Sequence, residues 1–112
     1  MLVVTTGGWA SHYEARGING PIEDILFPIQ HGVLFYPGFD VLPPFVVYRS
    51  GRVDSDGFFS ACEKLAQRLD ELWTAPPIPF RKQNGGDYMI PALTLKPELA
   101  PGLSGFGVHV QN

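Results

Sequence analysis

The residues with the clearest chemical potential lie near the start of the chain. Thr5-Thr6-Gly7-Gly8 follows directly on the β-branched run Leu2-Val3-Val4. A strand that ends in two glycines leaves bare backbone N–H groups at its carboxyl end, where ligands bind in open α/β sheets. With no Cβ in the way, a flat ring can approach such a backbone closely. Tyr13 and Asn19 follow within one loop and add a hydroxyl and an amide. Taken alone, Thr5-Thr6-Gly7-Gly8 also fits a plain tight turn.

These residues must be held by a small frame. With 112 residues the chain has room for one domain. The unbroken apolar run Leu2–Thr6 predicts a strand buried on both faces in a parallel sheet. Residues 7–20 read as a long functional loop. Ile22, Ile25, Leu26 and Ile29 have helical spacing, but Pro28 interrupts it. The expectation is two helical pieces, about 21–27 and 28–36, with Pro28 opening the second. Residues Phe39–Tyr48 hold a second strand, with Phe45-Val46-Val47-Tyr48 as its core. Asp54, Ser55 and Asp56 start a helix of about 18 residues. Its stripe Phe58, Cys62, Leu65, Leu69 and Leu72 predicts the buried face, which makes Cys62 an inert buried thiol and Trp73 a packing residue. Residues 75–112 lack a period and read as a Pro/Gly-rich tail wrapped over this domain or over a partner.

Charge and cysteine usage narrow the classes. The net charge of −3, without a basic run, argues against nucleic acid. The single cysteine excludes an internal disulfide and fits a reducing compartment. No apolar run is long enough for a membrane span, and no signal peptide is recognisable, so a cytoplasmic location is expected. Charged residues make up 17% of the chain, below the roughly 25% usual for soluble domains, so part of the surface suits a partner.

Thr5-Thr6-Gly7-Gly8, Tyr13, Gly17-Ile18-Asn19-Gly20, Ile25-Leu26-Phe27-Pro28-Ile29-Gln30, Gly38-Phe39-Asp40-Val41-Leu42 and Tyr48 together resemble the NAD(P)H:quinone oxidoreductases of the flavodoxin-like fold. The resemblance runs from residue 2 to about 74. A weaker one, in Gln83-Asn84-Gly85-Gly86-Asp87-Tyr88, points to the bacterial branch. It implies a three-layer αβα fold with a parallel sheet. Two strands, two helical segments and an extended tail would be its C-terminal half, divided into residues 1–74 and a tail of 75–112. It also implies a dimeric flavoenzyme that takes hydride from NAD(P)H to FAD and on to a quinone.

By the same resemblance, Thr6, Gly7 and Gly8 would hold the flavin ring. Tyr13 would donate to its pyrimidine side, where charge gathers on reduction. Gly8, His12, Asn19 and Tyr36 would face the quinone, with Tyr13 and Asn19 as the catalytic pair. Asn19 stands where the best-known members carry a proton-relay histidine; an amide hydrogen-bonds but does not titrate. Phe58 and Cys62 occupy positions at the adenosine end, where an expected arginine is absent, so FMN stays an alternative to FAD. From its own residue type His12 reads first as an exposed loop histidine, with the quinone-facing role as the alternative. Arg49 and Arg52 fit either a cofactor phosphate or a solvated strand end. Trp9 could stack on a substrate or sit in a dimer seam. His31 has Phe35 rather than a second ligand at i+4, so no metal site is expected, and His109 carries no signal. The resemblance also implies a homodimer or a complementing N-terminal half. The alternative is a non-catalytic remnant acting as a binding or dimerisation module.

Overall fold

The β-branched runs at residues 3–5 and 45–47 pair with each other. In the computed structural model, which describes all residues Met1–Asn112, β1 (Val3–Thr5) lies parallel to β2 (Phe45–Val47), in the register Val3↔Phe45, Val4↔Val46 and Thr5↔Val47. Between them come a 3₁₀ turn (Ala10–Tyr13), α1 (Ile22–Phe27) and a π-helix (Pro28–Phe35). Pro28 is the junction between the two helices. It has no N–H to continue the α ladder, and the hydrogen bonds then widen to i→i+5, as in Tyr36 N–H to His31 O (2.8 Å). The second helical piece is therefore present but wider than an α-helix.

A 3₁₀ turn (Ser50–Arg52) leads to α2 (Ser55–Asp70). Asp54 caps α2, its carboxylate accepting from the Gly57 N–H at 2.8 Å. The covered face of α2 differs from the expected stripe. Ala61, Leu65, Arg68 and Leu72 are half-buried, while Phe58, Cys62 and Leu69 are exposed. Arg68 causes the rotation: its guanidinium reaches the carbonyls of Pro43 and Pro44, which brings its side of the helix towards β2. Cys62 is thus an exposed thiol rather than a buried one, and Trp73 is 93% exposed rather than packed.

The tail carries more structure than its composition suggests. Tyr88–Met89 (β3) and Thr94–Leu95 (β4) form a short antiparallel hairpin. Phe80 bridges Val110, and Arg81 N–H donates to His109 O at 2.8 Å. The Phe106 ring stacks on Phe27 at 4.3 Å, and Phe80 meets Phe27 edge-on at 6.1 Å. The core is accordingly small: Ile22, Leu26, Val41 and Phe80 are its buried apolar residues. β1 was expected to be covered on both faces, yet Val3 is 55% exposed. Two paired strands alone cannot cover each other's faces. The accessible surface is 7904 Å², against about 6,100 Å² for a compact monomer of this size. The radius of gyration is 16.4 Å, against about 13 Å.

Candidate functional site

The ends of two parallel strands build the site. After β1 the chain makes Thr6 N–H to Val47 O (2.9 Å), and Thr6 is buried. After β2, Arg49 N–H donates to Gly8 O, and Ser50 donates to Thr6 O through both its N–H (2.9 Å) and its hydroxyl (3.0 Å). The glycine turn is therefore fastened through its carbonyls. The N–H groups of Gly7 and Gly8 donate to nothing within the chain.

Side chains close in on Gly8 only. A methyl group there would stand 2.8 Å from His12 Nδ1, 3.2 Å from Tyr13 Cε2 and 3.4 Å from the Tyr13 hydroxyl, whereas one on Gly7 would meet nothing within 4 Å. The 3₁₀ turn delivers both side chains. His12 N–H bonds to Trp9 O, and the His12 carbonyl accepts from Asn19 N–H at 2.9 Å, which closes the loop. Gly17 permits that closure, since a Cβ there would fall 2.3 Å from the His12 oxygen.

Tyr48 is the member of this group whose role is not evident from its own residue type. Its ring lies 5.7 Å from that of Tyr13. Burial raises its pKa, and the nearby Glu23, Tyr13 and Glu14 raise it further, so the phenol stays protonated. Arg49 was also undecided in the sequence. Its guanidinium lies 3.5 Å over the Trp9 ring, so it faces an aromatic neighbour. The usable signal was topological: in a parallel pair, the residues after both strands emerge at the same end.

Thr6, Gly7, Gly8, His12 and Tyr13 thus converge, and Asn19 joins them through its backbone. The Asn19 side chain is exposed. Tyr36 is not in this group. It is 61% exposed and borders a separate cavity beside the π-helix. His31 packs among aromatic rings, 4.5 Å from Phe27 and 5.1 Å from Phe80.

The family model for the flavodoxin-like fold matches residues 1–71. The chain belongs to this flavodoxin-like family. Among its relatives, the ribosyldihydronicotinamide dehydrogenase-like protein traD of Penicillium crustosum is 54% identical over 112 residues, which is 99% of this chain and 41% of that protein. NAD(P)H dehydrogenase (quinone) 1 of Rattus norvegicus is 39% identical over 80 residues, covering 71% of this chain and 29% of the relative. The crystal structure of a protein from Klebsiella pneumoniae, assigned as a quinone reductase, superposes with a TM-score of 0.96 at 67% identity, over 99% of this chain and 43% of that one. The chain spans less than half the length of each of these family members. No helix is long and apolar enough to cross a membrane.

The site fits a flavin on its own geometry. Two adjacent unpaired N–H donors, an open approach over Gly7 and a phenol beside Gly8 suit a planar heterocycle rich in acceptors.

Proposed function

We propose that this chain supplies the flavin-ring and quinone side of an NAD(P)H:quinone oxidoreductase site. The observation that carries the reading is the pair of free N–H groups at Gly7 and Gly8 with Tyr13 packed against Gly8. The flavin, FAD or FMN, supplies the two-electron carrier between NAD(P)H and quinone when bound. Gly7 and Gly8 would hold its edge through their backbone N–H groups, and Thr6 anchors the turn through its hydrogen bonds to Val47 and Ser50. Tyr13 presents a hydroxyl donor where negative charge develops, an arrangement that preset donors stabilise well in a site shielded from water. Tyr48 backs the Tyr13 ring. His12 walls the other flank of Gly8. Asn19 holds the loop and offers an amide to the quinone, and because an amide does not titrate, it relays no proton. Tyr36 walls the quinone from a different part of the assembly.

The excess exposed surface supports completion of the sheet by further strands, from a complementing half or within a homodimer. The test uses flavin fluorescence quenching. The chain alone should not retain FAD or FMN at micromolar concentration. Mixed with the portion of the Penicillium crustosum relative that it does not span, it should. Gly8→Ala should abolish that retention by pushing His12 and Tyr13 aside. Micromolar flavin binding by the chain alone overturns the shared site, and a folded mixture that ignores flavin overturns the flavin reading. The same exposed surface also suits a second reading, an assembly module without catalysis. A stable flavin-free homodimer in sedimentation would favour it.

A further inference from the structure

A second cavity, of about 550 Å³, lies between the π-helix and the tail. Tyr36 borders it, but none of Thr6, Gly7, Gly8, His12, Tyr13 or Asn19 does. Its volume falls within the range of small-molecule sites. Phe35 and Phe39 line it from the π-helix and the turn after it, and Tyr88 and His109 from the tail. Tyr88 and His109 are stacked, 13° from parallel, and joined by a 2.9 Å hydrogen bond between the phenol oxygen and Nδ1. They form a rigid flat surface.

The cationic groups of the lining lie in the tail. Arg81 is held in place: its Nε donates to Val108 O at 2.9 Å and its Nη1 to Asp87 at 3.0 Å. Its Nη2 makes no hydrogen bond within the chain. Lys82 is exposed and has no carboxylate within ion-pair distance. Asp40 is the one acidic side chain in the lining, against these two cations. Burial keeps His31 and His109 below their ordinary pKa, so at neutral pH the imidazoles act as aromatic wall and not as charge.

We propose that this cavity binds a flat aromatic acid, its rings against Tyr88, His109 and Phe35 and its acid group on Lys82 and the free edge of Arg81. Aromatic walls supply affinity for any planar apolar body. The anion preference comes from Lys82 as an unpaired charge and from Arg81 as a fixed donor. Tyr36, given above to the quinone wall, also borders this cavity, so the proposal shares one residue with the quinone reading, but it uses none of the flavin-facing residues and its test fails separately.

The probe is 2-naphthoate, followed by amide chemical shifts and calorimetry on the ¹⁵N-labelled chain. Shifts should cluster at Gly38, Gly85 and Leu93, and leave Gly7 and Gly8 unmoved. The uncharged 2-naphthamide and the non-aromatic cyclohexanecarboxylate should both bind more weakly. Lys82→Gln should weaken naphthoate by up to about fivefold, as for the loss of one solvent-facing charge contact. It should leave naphthamide unchanged, and Lys82→Arg should restore the difference. Lys82 is exposed, so these variants keep the fold. Naphthoate that binds no better than naphthamide, an unaffected Lys82→Gln, or shifts at Gly7 and Gly8 instead would each overturn the proposal.

Discussion

At the scale of single residues, two glycines act in different ways. Gly8 is small because two side chains, His12 and Tyr13, occupy the space a Cβ would need, and those are the side chains proposed to flank the flavin and quinone. Gly17 is small because a backbone carbonyl lies there. A carbonyl cannot rotate aside, so Gly17→Ala should open the loop and release the Asn19 to His12 hydrogen bond. The expected loss is in the range of severe single substitutions, roughly 3 kcal/mol or more. Chemical denaturation measures it, and faster hydrogen exchange at the Asn19 amide localises it. Asp54→Ala is a milder change. It removes the cap of α2 and should cost about 1 kcal/mol, read as a lower denaturation midpoint with an unchanged slope.

At the scale of elements, the aromatic seam between the helices and the tail responds to pH. His31 and His109 lie 6.0 Å apart between Phe27, Phe80 and Tyr88. Burial depresses both pKa values below 6.5; the charge of His109 adds to the effect on His31, and that of Arg81 to the effect on His109. The folded state therefore binds fewer protons than the unfolded one. Their contribution is complete above the unfolded value of about 6.5 and is lost as the pH falls below it. The melting temperature should drop between pH 7.5 and 5.5, and His31→Phe should flatten the drop. A melting curve indifferent to pH in the parent chain would contradict this.

Much of the element plan was legible in residue types. Leu2-Val3-Val4 and Phe45-Val46-Val47 announced parallel strands, Pro28 marked a break, and Asp54 marked a helix start. The π geometry after Pro28 was not legible, because the proline signals a break in the α ladder but not the i→i+5 register that follows it. The hairpin at Tyr88–Leu95 was hidden because two-residue strands leave no periodic trace. For α2, periodicity ranked the faces by apolarity, but Arg68 decided which face turned inward. In the site, the glycines and Tyr13 were legible from local spacing. Tyr48 and Arg49 needed the sheet to bring a distant strand end alongside.

At the scale of the whole molecule, apolar surface exceeds what the chain's own core absorbs. Phe58, Phe59, Leu69 and Trp73 are all more than half exposed on or just after α2. Large apolar side chains left exposed along one helix suit a contact surface. Leu69→Glu should therefore change the stability of the isolated chain by less than about 0.5 kcal/mol. It should weaken association with the complementing portion markedly, as seen by sedimentation velocity. A large loss of stability without any effect on association would place Leu69 in the chain's own core instead.

The wide helical turn from Pro28 to Phe35 bears on how this segment tolerates change. Each i→i+5 hydrogen bond spans one residue more than its α counterpart, so shortening the segment by one position, for instance at Gly32, would let it tighten into ordinary α geometry with the downstream elements near their present bearing. A deletion that the segment did not absorb in this way would instead swing everything downstream by about 100°. Phe35 would leave Phe80, and Gly38–Asp40 would no longer face Arg81 and Lys82. This stretch should therefore absorb the loss of one residue but neither a longer deletion nor an insertion, a distinction that a scan of deletions set beside insertions would expose.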